Sequence, residues 1–287
     1  MSFQKRCFLG AALAYVISAW FGVGYSGEDE FQHVILYAEY FRGHVGIDHL
    51  PIDYFSHWSG MVLPMICTGV FNLLGLVGIN DPFLLTLALR LLTAALALWV
   101  TSGFIRAVLP RIDPQHARAF ILLSWFLWFL PLLQVRFTGE AWSGLLFLRG
   151  LSVLLDQRGR GHMAIGAWFG ATVLFRPAAA LLPIGALLWM IFAKQVSRSG
   201  MLKIIAGGAV LIALGIVIDS LAYGTPVLTL WNYMKSALGG EASWRFTTLP
   251  WYYYLLFIFK YALPPIGALL LAALGILMIR KPMNPLV

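Results

Sequence analysis

The sequence predicts an all-α polytopic membrane protein, a bundle of about 8–10 transmembrane helices with an amphipathic interfacial helix in its first extracytoplasmic loop. Three observations carry the membrane assignment. Of 287 residues, 60% are hydrophobic and only 11% are charged, and the mean hydropathy is +0.82. The 20 Phe and 11 Trp add more apolar surface than one water-soluble core could bury, so a bilayer must be the solvent. The apolar residues also come in runs of membrane-crossing length, and most Lys and Arg sit at the ends of those runs. The net charge of +8 is therefore an orientation signal rather than a nucleic-acid footprint.

Taken in order, Lys5 and Arg6 precede an apolar run at 7–23 that has no small-x-small cleavage site. It reads as a membrane anchor rather than a signal peptide. The basic start holds the N-terminus in the cytoplasm, and the helix delivers Glu28, Asp29 and Glu30 to the extracytoplasmic face. In the loop 24–58, Phe31, Val34, Ile35, Ala38 and Phe41 recur at helical spacing, with Gln32, Glu39 and Arg42 elsewhere on the wheel. That pattern predicts an amphipathic interfacial helix, capped by Ser26 with Asp29 closing a capping box.

Further spans are expected at 60–79, 82–104, 117–134, 141–156, 164–193, 202–221 and 252–280, with a second long extracytoplasmic loop at 223–250. The chain, 1–287, is then a single membrane-embedded domain. Six crossings put both loops on one face, provided that 164–193 counts once. Arg176-Pro177 interrupts that run, because proline removes a backbone donor and crowds the preceding turn, and two helices there would break the parity. The arrangement also leaves the basic loop Arg106 to Arg118, and the one with Arg158 and Arg160, outside, against the positive-inside tendency. Arg90, alone in its apolar run, is expected to pack or to meet a lipid headgroup.

Three consecutive carboxylates in so sparsely charged a chain are the first candidates for chemistry, and they also suit the start of a helix. Asp219, Tyr223-Gly224, Trp231-Asn232-Tyr233 and Pro250-Trp251-Tyr252-Tyr253-Tyr254 bring more rings and hydrogen-bonding groups than a connector needs, although Trp and Tyr also favour membrane interfaces. Cys7 and Cys67 have the spacing of neither a disulfide framework nor a zinc site. His33, His44, His49 and His57 do not make a metal-binding pair with an acidic third ligand, so no cofactor is expected, and a divalent cation is left open. No Gly-rich phosphate loop follows a strand, which argues against a nucleotide-sugar donor.

The order of these motifs resembles the membrane-embedded GT-C glycosyltransferases. It is most similar to glycosyltransferase family 22, the mannosyltransferases of N-glycan and GPI-anchor assembly, and their bacterial relatives. The matching residues are Asp29-Glu30-Phe31-Gln32, then Arg136-Phe137-Thr138-Gly139-Glu140, Arg176-Pro177, and the series Asp219, Tyr223-Gly224, Asn232-Tyr233 and Pro250-Trp251-Tyr252. The family's His-Pro before the acidic pair is replaced by Gly27-Glu28, and Ala237 stands near the place of a second Asn. The chain ends soon after Trp251, as expected of a compact bacterial relative or a C-terminally truncated member.

The resemblance implies inverting transfer of a hexose, by family habit mannose, from a polyprenyl-phosphate donor to a hydroxyl of a lipid-linked or surface glycan. It assigns the general base to Asp29, with Glu28 or Glu30 as the alternative. Arg176, Arg245 and Lys235 are the candidate cations for the donor phosphate, since charge builds on the bridging oxygen as the bond breaks. Gln32, Arg136, Glu140, Asn232, Tyr233, Trp251 and Tyr252 are candidate substrate contacts, and Arg136 with Glu140 is an expected ion pair. Tyr252 and Tyr253, with Trp251 and Tyr254, would line the entry groove for the prenyl chain or stack against the sugar. The partners implied are the lipid-phosphate sugar, the acceptor and membrane lipids, with no nucleic acid. Lacking an N-x-Ser/Thr sequon, the chain is expected in a bacterial inner membrane rather than the ER, with its active site on the extracytoplasmic face. Two rivals are a non-catalytic or truncated subunit and a lipid-linked sugar transporter or flippase.

Overall fold

The computed structural model describes residues 2–25, 27–156, 161–193, 195–239, 249–250, 252–253, 256–257, 268–269, 272–273, 275–276 and 279. Among them, the secondary structure is helical throughout, with no strand. The chain forms two compact units, Met1–Ile184 with Ser197–Tyr233, and Gly185–Val196 with Met234–Val287.

In the larger unit, α1 (Phe3–Phe21) is capped by Ser2, whose hydroxyl accepts from the Lys5 N–H. Next, α2 (Glu28–Glu30), a π-helical turn Phe31–Ile35 and α3 (Leu36–Phe41) run as one continuous helix. Short α4 (Ile52–Phe55) precedes α5 (Val62–Leu76) and the long α6 (Pro82–Val108). Then follow α7 (Ala117–Phe126), α8 (Leu130–Leu133), α9 (Gly139–Leu155) and α10 (His162–Phe175). The series ends with α11 (Leu181–Phe192), α12 (Arg198–Tyr223) and α13 (Thr229–Leu238). Pro82–Arg111 and Arg198–Tyr223 are each long and apolar enough to cross a bilayer unaided.

Ring contacts fix the direction of each pass. At one end of the unit, α7 starts beside α1, with the Arg118 guanidinium 5.8 Å over the Phe3 ring. The two helices then run in parallel, Trp125 meeting Phe8 and Tyr15 edge-on and the Tyr15 hydroxyl donating to Gln134 Oε1 at 2.5 Å. Opposed to α1, α6 runs from Phe83, 5.2 Å from Trp20, down to Arg106. Along it runs α9 in parallel, from Trp142, whose indole N–H donates to Thr93, to Arg149, which lies 4.7 Å over Trp99. Coming back, α10 has Phe169 against Phe147 and Phe175 stacked on Trp142.

Glycines let α12 lie parallel to α10. A Cβ added at Gly166 would fall 1.8 Å from the Ile204 carbonyl oxygen, and one at Gly207 would fall 2.1 Å from that of Met163. Only hydrogen fits there, so the backbones meet as in small-x-x-x-small membrane pairs.

In the larger unit, the helices that run between the two ends after the first loop are α6, α7 with α8, α9, α10 and α12, and they differ from the expected spans in two places. The run 60–79 does not cross. Its helix α5 is about 22 Å long, starts with the Met61 N–H on Asp219, and is followed by only Val77–Asp81 before α6 begins beside Trp20. Five residues reach at most about 18 Å, so α5 begins and ends near the same end. The run 164–193 is two elements rather than one: Arg176, pushed out of helical geometry by the following proline, is extended at φ −151°, ψ 104°. The run 117–134 is likewise broken, at Leu127 (ψ 123°), because Pro131 could not donate to the Leu127 carbonyl in a continuous helix.

These two corrections change the end at which the basic residues of α6 and α7 fall. Arg106, Arg111 and Arg118 now share an end with Lys5 and Arg6, and Asp29, Glu30, Asp53, Glu140 and Asp219 share the other. Arg158 and Arg160 lie outside the described residues. Much of the apolar face of the first-loop helix is covered by protein, Val34, Ile35 and Ala38 packing with Leu63, Cys67, Phe71, Leu85 and Phe137, while Phe31 stays exposed. Its expected cap, Ser26, lies outside the described residues. Arg90 is buried and donates to the Gly22 carbonyl, which gives it the packing role and not the headgroup one.

Candidate functional site

The acidic end is assembled around the last turn of α1. The Gly22 carbonyl accepts from Arg90 and, at 3.1 Å, from Arg136, whose NH1 also donates to the Gly24 carbonyl at 2.7 Å. Cations at a helix C-terminus satisfy its orphan carbonyls and complement its dipole. They also fix where the first loop leaves α1, and so where the carboxylates of the next helix stand.

Asp29 and Glu30 then point to different partners. Glu30 is buried, with Oε2 3.9 Å from the Arg136 guanidinium. Asp29 keeps 47% of its side chain exposed and takes Arg176 at 3.1 Å on Oδ2. The other amino group of Arg176 holds Glu140 at 2.9 Å. This fork is available because Pro177 turns Arg176 out at the end of α10. Thr138 caps α9, its hydroxyl accepting from the Ala141 N–H and leaving Glu140 in the first turn. Gly139 permits the approach, since a Cβ there would lie 2.8 Å from the Phe175 carbonyl. The expected Arg136–Glu140 pair is therefore not formed: each residue has a nearer partner of its own.

A cavity of about 640 Å³ opens beside this network. Asp29, Glu30, Gln134, Arg136, Thr138 and Glu140 give it a polar part, and Leu133, Gly144, Leu145 and Leu148 an apolar one. A second cavity of about 250 Å³ shares Glu30 with it and is lined by Tyr25, Phe83, Arg90 and Phe137. Burial, helped by the Glu30 carboxylate and then by Cys67, pushes the Tyr25 phenol up from its ordinary value.

On its far side Asp29 faces His33, whose Nδ1 lies 3.6 Å from Oδ1, and His33 Nε2 lies 3.1 Å from Asp53 Oδ2. Neither His33 nor Asp53 stands out in the sequence as a partner of Asp29; the only signal is the i, i+4 spacing of Asp29 and His33. Tyr37, Tyr40 and Tyr54 pack behind them. Burial raises the Tyr37 phenol well above its usual value, and burial followed by Tyr40 pushes Tyr54 up to about 12, so both are neutral hydroxyls.

The second motif series goes elsewhere. Asp219 accepts the Met61 N–H at 2.7 Å, Tyr223 donates to the Ser59 carbonyl at 2.9 Å, and Asn232 reaches the His57 carbonyl at 3.5 Å. Together they hold the stretch 57–61, in which His57 has the left-handed φ of +53° that non-glycine residues seldom adopt. Asn232 thus meets backbone. Tyr233 is half-buried on α13, and Gln32 is half-buried one turn after Asp29. Lys235 and Tyr252 are exposed residues of the smaller unit. The Glu28 side chain, Arg245, Trp251 and Tyr254 lie outside the described residues.

A family model, that of the Alg9-like mannosyltransferases, matches residues 12–285. No curated protein and no solved structure matches the chain.

Proposed function

The chain belongs to the Alg9-like mannosyltransferase family and is a membrane glycosyltransferase; on that premise we propose that it moves mannose from a polyprenyl-phosphate donor to a hydroxyl of a lipid-linked or surface glycan, with inversion and with Asp29 as general base. The observation that carries the choice of base is the contrast among the carboxylates at the cavity. Asp29 keeps 47% of its side chain exposed, with Arg176 on Oδ2 and His33 at the longer 3.6 Å from Oδ1, whereas Glu30 is 7% exposed against Arg136; Glu140, 52% exposed, stands in the first turn of α9, where it complements the helix dipole. An acceptor hydroxyl can approach Asp29 from the aqueous side, and base catalysis of this kind is worth about 10²- to 10⁴-fold.

The donor phosphate needs a cation as the bridging oxygen gains charge. Arg136 lines the cavity, and Arg176 stands behind Asp29 and Glu140 with both terminal nitrogens engaged. This supports Arg136 as the phosphate contact and Arg176 as the tether of the base. The apolar part of the cavity, Leu133, Leu145 and Leu148, suits a lipid-linked substrate. The positive-inside tendency supports a cytoplasmic basic end and, with it, an extracytoplasmic Asp29.

The test is a transfer assay in membranes containing the full chain, following tritium from polyprenyl-phosphate mannose into lipid or glycan, with Asp29→Asn alongside. Transfer that collapses in the variant supports both donor and base. Equal transfer moves the base to Glu30 or Glu28, and transfer from a nucleotide sugar instead overturns the donor.

A further inference from the structure

We propose that His33 is a positioning residue that takes the acceptor's proton from Asp29 and passes it to Asp53, a role that rests on Asp29 being the base. A base that collects a proton in every turnover must lose it before the next. The two oxygens of Asp29 are divided for this: Oδ2 is occupied by Arg176, and Oδ1 faces His33 Nδ1 at 3.6 Å. The opposite ring nitrogen is already within hydrogen-bond distance of Asp53, at 3.1 Å. His33 bridges two carboxylates from two separate helices, α2 with its continuation and α4.

The local backbone gives a second, independent reason. His33 lies at the centre of the π-helical turn Phe31–Ile35, in which the Leu36 N–H bonds to the Phe31 carbonyl, five residues back. Such an inserted residue re-aims the side chains around it and is frequent at functional sites. Among the described residues, the charged and titratable groups facing the ring are Asp29, Asp53 and, 6.1 Å away and neutral, the Tyr37 phenol, with Arg176 on the opposite oxygen of Asp29.

The step balances with one imidazole. With its Nε2–H donated to Asp53, the ring presents the Nδ1 lone pair to Asp29. As the acceptor oxygen bonds to the anomeric carbon, its O–H proton goes to Asp29, and the polyprenyl phosphate leaves with the electron pair of the broken C–O bond. The proton on Oδ1 then moves to Nδ1, the Nε2 proton moves to Asp53, and Asp53, part exposed, returns it to water; the part-exposed ring, left as the Nδ1–H tautomer, regains a proton from water at Nε2 and gives up the one on Nδ1 before the next turnover. The gap to Nδ1 has to close by roughly 0.5 Å to reach hydrogen-bond length, a small tilt of the ring.

The experiment uses the full chain in lipid nanodiscs, with polyprenyl-phosphate mannose as donor, and compares wild type with Asp29→Asn, His33→Gln, His33→Gly and Asp53→Asn. His33→Gln should lower kcat about 10- to 100-fold with both KM values unchanged, and alter the pH dependence of kcat. Added imidazoles should restore His33→Gly, more so the more basic the imidazole, and Asp53→Asn should lose about 3- to 10-fold. His33→Gln within twofold of wild type overturns the relay. So does a loss of kcat that keeps the wild-type pH dependence and resists imidazole, because that is the behaviour of a structural brace. If Asp29→Asn is inactive while His33→Gln is active, the relay alone fails. If Asp29→Asn keeps full activity, the base reading fails with it.

Discussion

Asp29 and Asp219 are both aspartates at the acidic end of one unit, and both sit in motifs that resemble those of a single enzyme family. Asp29 has 47% of its side chain exposed beside a cavity of about 640 Å³ and is met by other side chains. Asp219 is 4% exposed, accepts a backbone N–H, and borders a space of about 30 Å³, enough for a water and not for a sugar. The difference is one of environment, and on the proposed function it assigns the first motif set to the substrate and the second to the support of the loop 57–61. Activity and stability should therefore separate between them.

The largest expected effect is on Asp29. Replacing it with Asn should cut transfer about 10²- to 10⁴-fold while thermal unfolding in detergent stays near wild type, because a half-exposed carboxylate contributes little to the fold. A variant that unfolds early would erase the contrast with Asp219.

Asp219→Ala should show the reverse. It strands the buried Met61 N–H, and losing a hydrogen bond to a charged group costs roughly 1.5–3 kcal/mol. The unfolding midpoint should drop clearly, while the folded fraction keeps transfer to within about tenfold. A fully stable Asp219→Ala protein without transfer would place Asp219 among the catalytic groups.

Arg176→Gln sharpens the comparison from the side of the partner. As a tether, Arg176 should affect kcat by about tenfold and leave the donor KM within about threefold; a phosphate contact would reverse that split. Arg176→Lys should fall between wild type and Arg176→Gln, since an ammonium cannot span two carboxylates as a planar fork does.

Much of this was legible in the chain. The apolar runs and the acidic first loop announce a helical membrane protein, and the Arg176-Pro177 pair announces a broken helix, because each rests on local physics. Which runs cross was not legible: 60–79 is as apolar as a span, and only the pairing of Met61 with Asp219 and of Phe83 with Trp20 shows that it stays at one end. The partners in the site were hidden for the same reason. Arg136 and Glu140 are one helical turn apart in sequence, yet Arg136 joins Gly22, Gly24 and Glu30 while Glu140 joins Arg176, residues separated by long stretches of chain. Asp53 carries no motif at all, and only the folding of the loop brings it to His33.

The smallest effect tests the clamp most directly. Tyr223→Phe removes one hydroxyl that donates to the Ser59 carbonyl at 2.9 Å and leaves the ring against Tyr54 and His57, at 5.0 and 4.6 Å. A neutral hydrogen bond contributes about 0.5–1.5 kcal/mol, so the unfolding midpoint should fall slightly and transfer should stay within about threefold. The reason is that Ser59 and Met61 are held by separate anchors, and with Asp219 still on the Met61 N–H the stretch 57–61 keeps its path. If Tyr223→Phe instead abolishes transfer without moving the midpoint, the hydroxyl meets the substrate, and the division between a reactive and a supporting motif set no longer runs between Asp29 and Tyr223.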